Sequence, residues 1–179
     1  MSIKRQFSKI CGERICLKPL ALPDINSDYV SWLNDSQVVR YSNQRFLRHS
    51  AETCRRYFAS FEGTDNLLLK IERKSDEAFL GTMTAYVSPH HGTVDVGILI
   101  GPASARCCGI GQEAWNLLLG WLLSCDGIRK VTAGAMRANA AMVRIMERSG
   151  MSLEAVRQQQ ELLDGVPQDL VYFGRFRDS

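Results

Sequence analysis

The stretch that decides the fold of this chain is Asp95–Gln112, DVGILIGPASARCCGIGQ. It begins as an apolar run typical of a buried strand, passes through a short loop and ends in R-C-C-G-I-G at Arg106–Gly111, before a second apolar segment. Glycines let a backbone approach an anion closely, and the free N–H groups and dipole at a helix start attract negative charge. Since Arg106 adds a mobile positive charge, the stretch predicts a strand, an anion-binding loop and a helix.

Other interpretations of the glycine pair remain open at this point. The two glycines alone could form a tight turn without any ligand. A dinucleotide-binding fold would place G-x-G-x-x-G after the first strand, with an acidic residue about twenty residues further on. Here the motif lies past the middle of the chain and lacks that spacing, and the Gly-Lys-Ser/Thr of a Walker loop is absent from it.

On the C-terminal side of this loop, helices and strands are predicted to alternate. A long apolar segment follows the loop, a glycine ends the next helical pattern, and Asp164-Gly165 is a pair typical of a hairpin turn. The predicted elements are a helix over 109–124, a strand over 130–135, a helix over 139–149 ending at Gly150, and strands over 153–162 and 167–176.

On the N-terminal side, two helices precede a meander of three strands. A first strand is predicted over 13–20, with Asp24 as the candidate N-cap of one helix and Ser50 as that of the next. Between these helices, 37–48 is polar, aromatic and basic, and we interpret it as a loop. Strands over 66–72, 79–87 and 93–100 complete the predicted order β-α-α-β-β-β-α-β-α-β-β.

This order describes a mixed α/β fold, with a mixed central sheet, helices on both faces and a single domain over 1–179. The length of 179 residues fits one domain with a sizeable core. Lysine and arginine number 22 and aspartate and glutamate 19, so the formal net charge is +3. Such mild basicity does not support a dedicated nucleic-acid partner, and 45% apolar residues argue against disorder.

The sequence shows no clear targeting segment and no metal-binding cysteine pattern. No apolar run follows the basic N-terminus, and the longest uncharged apolar stretch, Ala114–Cys125, is too short for a bilayer. We therefore expect a cytoplasmic protein without a membrane partner. No C-x-x-C spacing occurs, so we expect reduced thiols, bound neither to metal nor in disulfides, at Cys11, Cys16, Cys54, Cys107, Cys108 and Cys125.

Two motifs together resemble the GNAT superfamily of N-acetyltransferases. Strand–R-x-x-G-x-G–helix at Arg106–Gly111 is similar to its pyrophosphate-binding signature, and N-A-A-M-V-R-I-M-E-R-S-G-M from Asn139 is similar to its Asn-initiated helix. The element order matches over nearly the whole chain. The loop Tyr41–Arg45 and the VDVGILIG strand resemble the ribosomal-protein N-terminal acetyltransferase-like (RimJ/RimL-like) branch, which also contains amino-sugar acetyltransferases.

The resemblance implies the GNAT fold and acetyl-CoA as co-substrate, without a metal. It places the pyrophosphate on the loop and the pantetheine arm along the preceding strand, where one main-chain N–H polarises the thioester carbonyl. Asn139 is either a helix N-cap or a ligand of the pantetheine amide. Cofactor-binding residues implied in this way are Ile98, Leu99, Ile100, Arg106, Cys107, Cys108, Gly109, Ile110, Gly111, Gln112 and Asn139.

Asp95 is the candidate catalytic base, at a place where the resemblance implies a carboxylate. It can accept a proton from a substrate ammonium directly or through water, and the alternative is a solvated acid near a hairpin. Met146 departs from the family pattern, since many members carry there a tyrosine that protonates the leaving thiolate. Water or another group must then supply that proton. An acetyl-cysteine intermediate on Cys107 or Cys108 is disfavoured, because the family transfers acetyl directly.

The expected acceptor is a primary amine, with its pocket shaped by the loop between the first two helices. Candidate substrate residues are Tyr41, Gln44, Arg45 and Arg48; their arginines could meet a phosphate-bearing acceptor, and the alternative is a solvated basic loop. We expect an acetyl-CoA-dependent N-acetyltransferase for an amino sugar or nucleotide-linked amino sugar. A protein N-terminal amine is the alternative acceptor, and an inactive CoA-binding or interaction module is the alternative class. Assembly as a homodimer is compatible with either.

Overall fold

The computed structural model describes residues 3–178, through which one eight-stranded sheet runs. Numbered in chain order, the helices are α1 (Ile3–Gln6), α2 (Ser27–Asn34), α3 (Ala51–Ala59), α4 (Ile110–Ser124) and α5 (Ala140–Arg148). The strands are β1 (Ile10–Cys11), β2 (Ile15–Pro19), β3 (Leu67–Arg73), β4 (Phe79–Ser88), β5 (Thr93–Ile100), β6 (Lys130–Met136), β7 (Ser152–Leu163) and β8 (Val166–Phe176).

The sheet is mixed, as predicted, and its parallel pair is short. Across the sheet the strand order is β1-β2-β3-β4-β5-β6-β8-β7, and neighbours are antiparallel except β5 and β6. These two strands are in register from Thr93↔Lys130 to Asp95↔Thr132 and then separate. Because β5 continues to Ile100, an opening lies between the two strands beyond Asp95.

Helices cover both faces of the sheet, and this prediction is also confirmed. In β3, Leu67, Leu69 and Ile71 enter one core with α1 and α4, whereas Leu68 enters a second core with α2 and α3. Successive side chains of a strand point to opposite faces, so this run of apolar residues requires an apolar cover on each side. On α4, Trp115 is the largest fully buried side chain of the first core.

The N-terminal part corrects the prediction in detail. The sequence pattern predicts neither α1 nor β1, which are four and two residues long and too short for a periodic pattern. The N-cap of α2 is Asn26, which accepts from the N–H of Tyr29, so the assignment of Asp24 is wrong. Asp24 lies in a 3-10 turn, where it accepts from the N–H of Ala21 and pairs with Lys70 at 2.9 Å.

Caps and turns fix several other element ends, and the predicted cap at Ser50 and turn at Asp164-Gly165 are confirmed. Ser50 accepts from the N–H of Thr53 at the start of α3. The N-cap of α4 is Gly109, with a left-handed φ of 86°. Between β7 and β8, Asp164 and Gly165 have φ of 52° and 80°, the signs that a two-residue type I′ hairpin turn requires. The predicted order of elements from β3 to β8 is confirmed.

Cys11 and Cys16 form a disulfide, so the prediction of six reduced cysteines is wrong for this pair. The hairpin of β1 and β2 places them directly opposite each other, with Cα atoms 4.1 Å apart. A strand of two residues gives no pattern from which this pairing follows.

Burial raises the pKa of the thiols of Cys54 and Cys125. The cysteines with free thiols are Cys54, Cys107, Cys108 and Cys125.

Residues 3–178 contain neither a helix suited to span a membrane nor a cluster of potential metal ligands. No helix there has both the length and the hydropathy needed to cross a bilayer. Within that range, no group of three or more His, Cys, Asp and Glu side chains is arranged to hold a metal ion.

Candidate functional site

The opening between β5 and β6 leaves one edge of β5 without a strand partner. From Val96 to Ile100, β5 pairs with β4 alone, while β6 pairs on its far side with β8. No described residue forms a main-chain hydrogen bond along that inner edge. Its N–H and C=O groups are therefore open to an extended ligand that adds to the sheet. The predicted binding segment Ile98–Ile100 borders this opening.

The loop before α4 presents a row of unpaired main-chain donors. Cys107 and Gly109 adopt left-handed φ of 59° and 86°, which turn the chain tightly into the helix. Among the residues described, none accepts a hydrogen bond from the N–H groups of 107–112. The Nε of Arg106 is buried and likewise has no partner in the described part of the chain. Such donors at a helix N-terminus suit an anion, as the sequence predicts.

Arg14 lies against the same loop, although no sequence motif identifies it. From the turn between β1 and β2, its Nη1 donates to the carbonyl oxygen of Cys108 at 2.8 Å and its Nε to Glu113 of α4 at 2.9 Å. Its Nη2 lies 3.1 Å from the point where a Cβ on Gly109 would stand. The guanidinium therefore adds positive charge to the donor loop. Because the contact with Cys108 spans 94 residues, local spacing could not reveal it.

Asp95 stands at the apex of the opening, since Asp95↔Thr132 is the last register pair of β5 and β6. Its Oδ2 accepts a hydrogen bond from Oγ1 of Thr132 at 2.9 Å. Solvent reaches Asp95, yet the surrounding sheet removes part of the hydration of its carboxylate and so raises its pKa; the bond from Thr132 offsets part of this rise. A carboxylate of raised pKa at an accessible apex is suited to accept a proton from an amine.

A pair of tyrosines joins α3 to the sheet beside Asp95. Tyr86 of β4 is the register partner of Asp95, and its hydroxyl lies 2.7 Å from the hydroxyl of Tyr57 on α3. Tyr86 also packs on Phe61, with ring centroids 5.7 Å apart. Burial and the hydrogen bond with Tyr86 raise the pKa of Tyr57 well above its ordinary value, so this hydroxyl stays neutral. The pair therefore serves the packing of α3 on β4.

Trp32 of α2 covers the end of β5, a contact that the sequence pattern does not predict. A Cβ on Gly101 would stand 2.0 Å from the indole, so the ring lies directly on the main chain of Gly101. Trp32 also meets Phe79 of β4, with ring centroids 5.0 Å apart. Only glycine fits beneath this ring, and the glycine that follows the apolar strand was the one available signal of a close approach.

Asn139 and Gln112 hold α5 in place next to α4. Oδ1 of Asn139 accepts from the N–H of Met142 at 3.2 Å, which is the N-cap role, one of the two predicted for it. Nε2 of Gln112 donates to Oγ of Ser149 at 2.8 Å and to the carbonyl oxygen of Ile145 at 3.3 Å. The side chain of Gln112 is thus used between the helices, and its main-chain N–H is the group left for a ligand.

The predicted acceptor loop is docked on the hairpin of β7 and β8. Arg45 donates to the carbonyl oxygens of Ser42 and Leu162 at 2.8 and 3.0 Å. Arg40 pairs with Asp164 at 3.2 Å. The guanidinium of Arg45 is therefore engaged by main-chain oxygens, which holds the loop to the hairpin tip.

The other predicted acceptor residues are less constrained. Tyr41 and Arg48 are exposed, and Gln44 is half-buried. Tyr41 lies under the guanidinium of Arg40, 5.8 Å from its ring centroid. In the described part of the chain, neither the side-chain amide of Gln44 nor the guanidinium of Arg48 forms a hydrogen bond or an ion pair. These two polar groups are available to a ligand.

A protein-family comparison identifies the chain. The model of the Acetyltransferase (GNAT) domain matches residues 14–152, which include the opening, the donor loop and Asp95. The chain belongs to the GNAT family. The protein is therefore an acetyl-CoA-dependent N-acetyltransferase, as the resemblance implied.

Solved structures share the fold of this GNAT protein at low sequence identity. A GNAT family acetyltransferase from Bacillus anthracis has a TM-score of 0.81 and 18% identity, over 96% of this chain and 99% of that chain. The microcin C7 self-immunity acetyltransferase MccE, in complex with acetyl-CoA and AMP, has a TM-score of 0.78 and 19% identity, over 92% and 93%.

A third structure matches the branch that the resemblance pointed to. The Salmonella typhimurium acetyl transferase that modifies the N-terminal serine of ribosomal protein L7/L12 has a TM-score of 0.79 and 17% identity, over 96% of this chain and all 100% of that chain. The predicted GNAT fold is confirmed. No curated protein matches the sequence of this GNAT protein significantly.

Met146 occupies the helix position where many GNAT enzymes carry a tyrosine. Its side chain is fully buried, with an exposed fraction of 0%, and belongs to the core under α4. In this GNAT protein that position therefore supplies no proton to the opening.

Proposed function

We propose that this N-acetyltransferase acts on the primary amine of an amino sugar or a nucleotide-linked amino sugar. The observation that carries the catalytic part is the position of Asp95, an accessible carboxylate of raised pKa at the apex of the opening. An ammonium cannot attack a thioester, so the acceptor must lose a proton before or during attack. Val94 and Val96 point into the core under α4, so Asp95 between them faces the α2–α3 side, from which the amine approaches.

The donor-binding roles follow the polar groups that lack partners. The pyrophosphate binds to the N–H groups of 107–112 and to the guanidinium of Arg106, and Nη2 of Arg14 adds charge beside it. The pantetheine arm lies along Ile98–Ile100 as an added strand, bound by main-chain groups. The side-chain amide nitrogen of Asn139 donates to the same arm, since its Oδ1 is used in the cap.

Acetyl transfer is direct, in a complex that holds donor and acceptor together. The amine nitrogen attacks the thioester carbonyl carbon, and Asp95, alone or through one water, receives a proton from the amine. A main-chain N–H on the inner edge of β5 stabilises the oxygen that becomes negative during attack. No acetyl-enzyme forms on Cys107 or Cys108, because both belong to the phosphate loop; the thiol of Cys108 donates to the carbonyl oxygen of Ala105 at 3.2 Å.

The loop over 41–48 supports an acceptor that bears a phosphate. A guanidinium binds phosphate through paired hydrogen bonds, and Arg48 is exposed without a described partner. Gln44 offers a further donor and acceptor beside it. Arg45 is assigned to holding the loop, since its guanidinium already serves Ser42 and Leu162. The MccE structure, which contains AMP together with acetyl-CoA, supports a nucleotide-bearing acceptor on this fold.

The N-terminal amine of a protein is the second candidate acceptor. Phe46 and Leu47, within the same loop, are 70% and 60% exposed. A bound peptide can cover exposed apolar side chains beside a site more completely than a sugar nucleotide can. The Salmonella typhimurium structure, whose enzyme modifies an N-terminal serine, supports this candidate.

A screen of acceptors tests the proposal. Release of CoA from acetyl-CoA is followed with a thiol reagent, and acetylated products are identified by mass spectrometry, for amino sugars, nucleotide-linked amino sugars and peptides with free N-termini. The highest kcat/KM is expected with a nucleotide-linked amino sugar, and Arg48→Ala should lower it about tenfold, the effect of about 1.4 kcal/mol. A tenfold preference for peptides, with activity that falls in Phe46→Ala, would establish the second candidate instead.

A further inference from the structure

The walls of the opening carry no side chain that can donate a proton to a thiolate. On β5 beyond Asp95 the residues are V-G-I-L-I over 96–100, and on β6 beyond Thr132 they are A-G-A-M over 133–136. The side chains that α5 adds to this core, Met142, Val143 and Ile145, are also apolar. When the C–S bond of a thioester breaks, the sulfur leaves as a thiolate and takes up a proton, which must come from elsewhere.

Tyr172 of β8 reaches over one of these walls. It is the register partner of Gly134 in β6. A Cβ on Gly134 would stand 3.0 Å from Cε1 and 3.8 Å from Cζ of the Tyr172 ring. The ring therefore packs on Gly134 through its Cδ1–Cε1 edge, which places the phenol over β6, the strand that borders the opening.

Tyr172 and Asp95 share the face of the sheet from which the acceptor approaches. In β6 and β8, Ala133 and Phe173 point into the core under α4. Their neighbours along each strand, Thr132 and Tyr172, therefore point to the opposite face. Thr132 is bonded to Asp95, so Tyr172 lies on the same face of the sheet as the Asp95–Thr132 pair, on the strand that follows β6 across the sheet.

The position of the Tyr172 ring is held from both sides. Gly134 has no side chain to displace it, and Arg157 of β7 places its guanidinium 5.2 Å from the ring centroid. Arg157 is the charged group that stacks on the ring, and Asp95 is the charged group across the opening. Gly134 itself is exposed, so this part of β6 and the ring edge that packs on it are open to solvent.

We propose that Tyr172 donates the proton that the departing CoA sulfur takes up, an inference that rests on the acetyl transfer proposed above. The amine nitrogen bonds to the thioester carbonyl carbon, the C–S bond breaks, and the sulfur receives the phenolic proton of Tyr172. The ammonium gives up two protons in all, through Asp95 and water. One of them restores Tyr172 and the other is released to solvent, so the products are the N-acetyl compound and CoA thiol.

The variant that isolates the hydroxyl is Tyr172→Phe, because its ring keeps the contacts with Gly134 and Arg157. With the amine that the wild type acetylates fastest, kcat should fall roughly 10²-fold, the usual scale of a general acid. The alkaline limb of the pH profile of kcat, which reports an acid that must hold its proton, should disappear. Affinity for acetyl-CoA, from calorimetry, should be retained. Tyr86→Phe, which loses a hydroxyl paired with Tyr57, should keep the alkaline limb.

Gly134→Ala provides a second test that leaves the hydroxyl in place. Its Cβ would stand 3.0 Å from the ring edge and displace Tyr172 by a few tenths of an ångström, so kcat should fall, and should fall no further when Tyr172→Phe is added. If Tyr172→Phe keeps wild-type kcat and the alkaline limb, Tyr172 is not the proton donor, and the proposed acetyl transfer is unaffected. If that variant does not fold, the same result in Gly134→Ala leads to the same conclusion. A wild type that acetylates no amine overturns the proposed function, and this inference with it.

Discussion

Arg14 and Glu113, 99 residues apart in the chain, are joined by two hydrogen bonds that seat the β1–β2 turn on the first turn of α4. The main-chain N–H of Arg14 donates to Oε1 at 2.8 Å and its Nε to Oε2 at 2.9 Å, and the N–H of Ile15 adds a bond of 3.3 Å. Burial alone would raise the pKa of Glu113, but these bonds outweigh it and hold the pKa below its ordinary value. The carboxylate thereby fixes the guanidinium that borders the donor loop.

Replacing Glu113 by alanine should lower stability and CoA affinity together. The substitution leaves the main-chain N–H groups of Arg14 and Ile15 without an acceptor, and urea denaturation should show a free energy of unfolding lower by about 1–3 kcal/mol. Glu52→Ala is the control, since Glu52 is exposed and lies 3.8 Å from Arg56 in an exposed pair. Its effect should stay within about 0.5 kcal/mol.

The lowered pKa of Glu113 also makes the free energy of unfolding depend on pH, in a direction that follows from the shift. A group whose folded pKa is lowered contributes stability that is fully present above its unfolded pKa, here near 4.5, and lost as the pH falls through the folded pKa. The wild type should therefore lose stability more steeply than Glu113→Ala as the pH falls below that value. If the free energy of unfolding falls in parallel with pH in the two proteins, Glu113 does not contribute to the loss of stability in acid.

Arg106→Ala and Arg14→Ala should each weaken CoA binding about tenfold, which is about 1.4 kcal/mol. The physical reason is the loss of one positive charge beside the N–H groups of 107–112, where the pyrophosphate is proposed to bind. Calorimetry with CoA and with dephospho-CoA locates the contact. If the affinity falls equally for both ligands, the arginine contacts the pyrophosphate. If the affinity falls only for CoA, the arginine contacts the 3′-phosphate.

The control for these variants is Arg55→Ala, on the exposed side of α3. It removes the same charge from the protein at a distance from the loop, and its CoA affinity should match that of the wild type. If all three variants lose affinity equally, the effect is one of net charge and the two arginines have no specific contact.

The parts of the fold that sequence could predict depend on local chemistry. Asp164-Gly165 is a turn by virtue of two adjacent residues that tolerate positive φ, and Ser50 caps a helix through a residue three positions away. The disulfide of Cys11 and Cys16 depends on a strand of two residues, whose pairing is set by the rest of the sheet. Such a short element leaves no pattern, so reduced thiols were the wrong expectation.

The candidate site divides in the same way. Arg106 and Gly109 stand close together in sequence because the donor loop is a local structure, so spacing alone could single them out as candidates. Arg14 and Trp32 reach the site through contacts between distant segments, with Cys108 and with Gly101. The sequence shows that Arg45 is charged but not which groups it contacts. In the structure, its guanidinium donates to the carbonyl oxygens of Ser42 and Leu162.

Alanine at two glycines should change stability in opposite directions. At Gly101 the new Cβ would stand 2.0 Å from the indole of Trp32, and displacing a packed ring should cost about 1–3 kcal/mol. At Gly120, inside α4, a Cβ would meet nothing within 4 Å, so the higher helix propensity of alanine should stabilise the protein by up to about 1 kcal/mol. Urea denaturation measures both, and a Gly101→Ala variant as stable as the wild type would contradict the packing of Trp32 on Gly101.

Arg45→Ala should reduce stability, in contrast to Arg48→Ala. Arg45 loses hydrogen bonds to two main-chain oxygens, each with a net contribution of about 0.5–1.5 kcal/mol, whereas Arg48 has no described partner to lose. The acceptor KM should rise in both variants, through a loosened loop in the first and a lost contact in the second. If Arg45→Ala raises KM with unchanged stability, Arg45 contacts the acceptor directly, as the sequence first suggested.

Asp95→Asn should lower turnover at neutral pH by roughly 10²-fold, since the amide keeps the size of the side chain and removes its basicity. CoA affinity, from calorimetry, should stay at the wild-type value because the donor loop is elsewhere. The loss should shrink at high pH, where the acceptor is already a free amine. Wild-type turnover in this variant at neutral pH would leave water as the proton acceptor.

Thr132→Val tests the same base through its pKa. The hydroxyl of Thr132 donates to Asp95 at 2.9 Å and so opposes the rise in pKa that partial loss of hydration causes. Without it the pKa of Asp95 should rise further, and a base that stays protonated to higher pH moves the acid limb of kcat/KM to higher pH. Thr132→Ser restores a hydroxyl and should return the limb toward its wild-type position. An acid limb that stays fixed in both variants would belong to the ionisation of the substrate amine and not to Asp95.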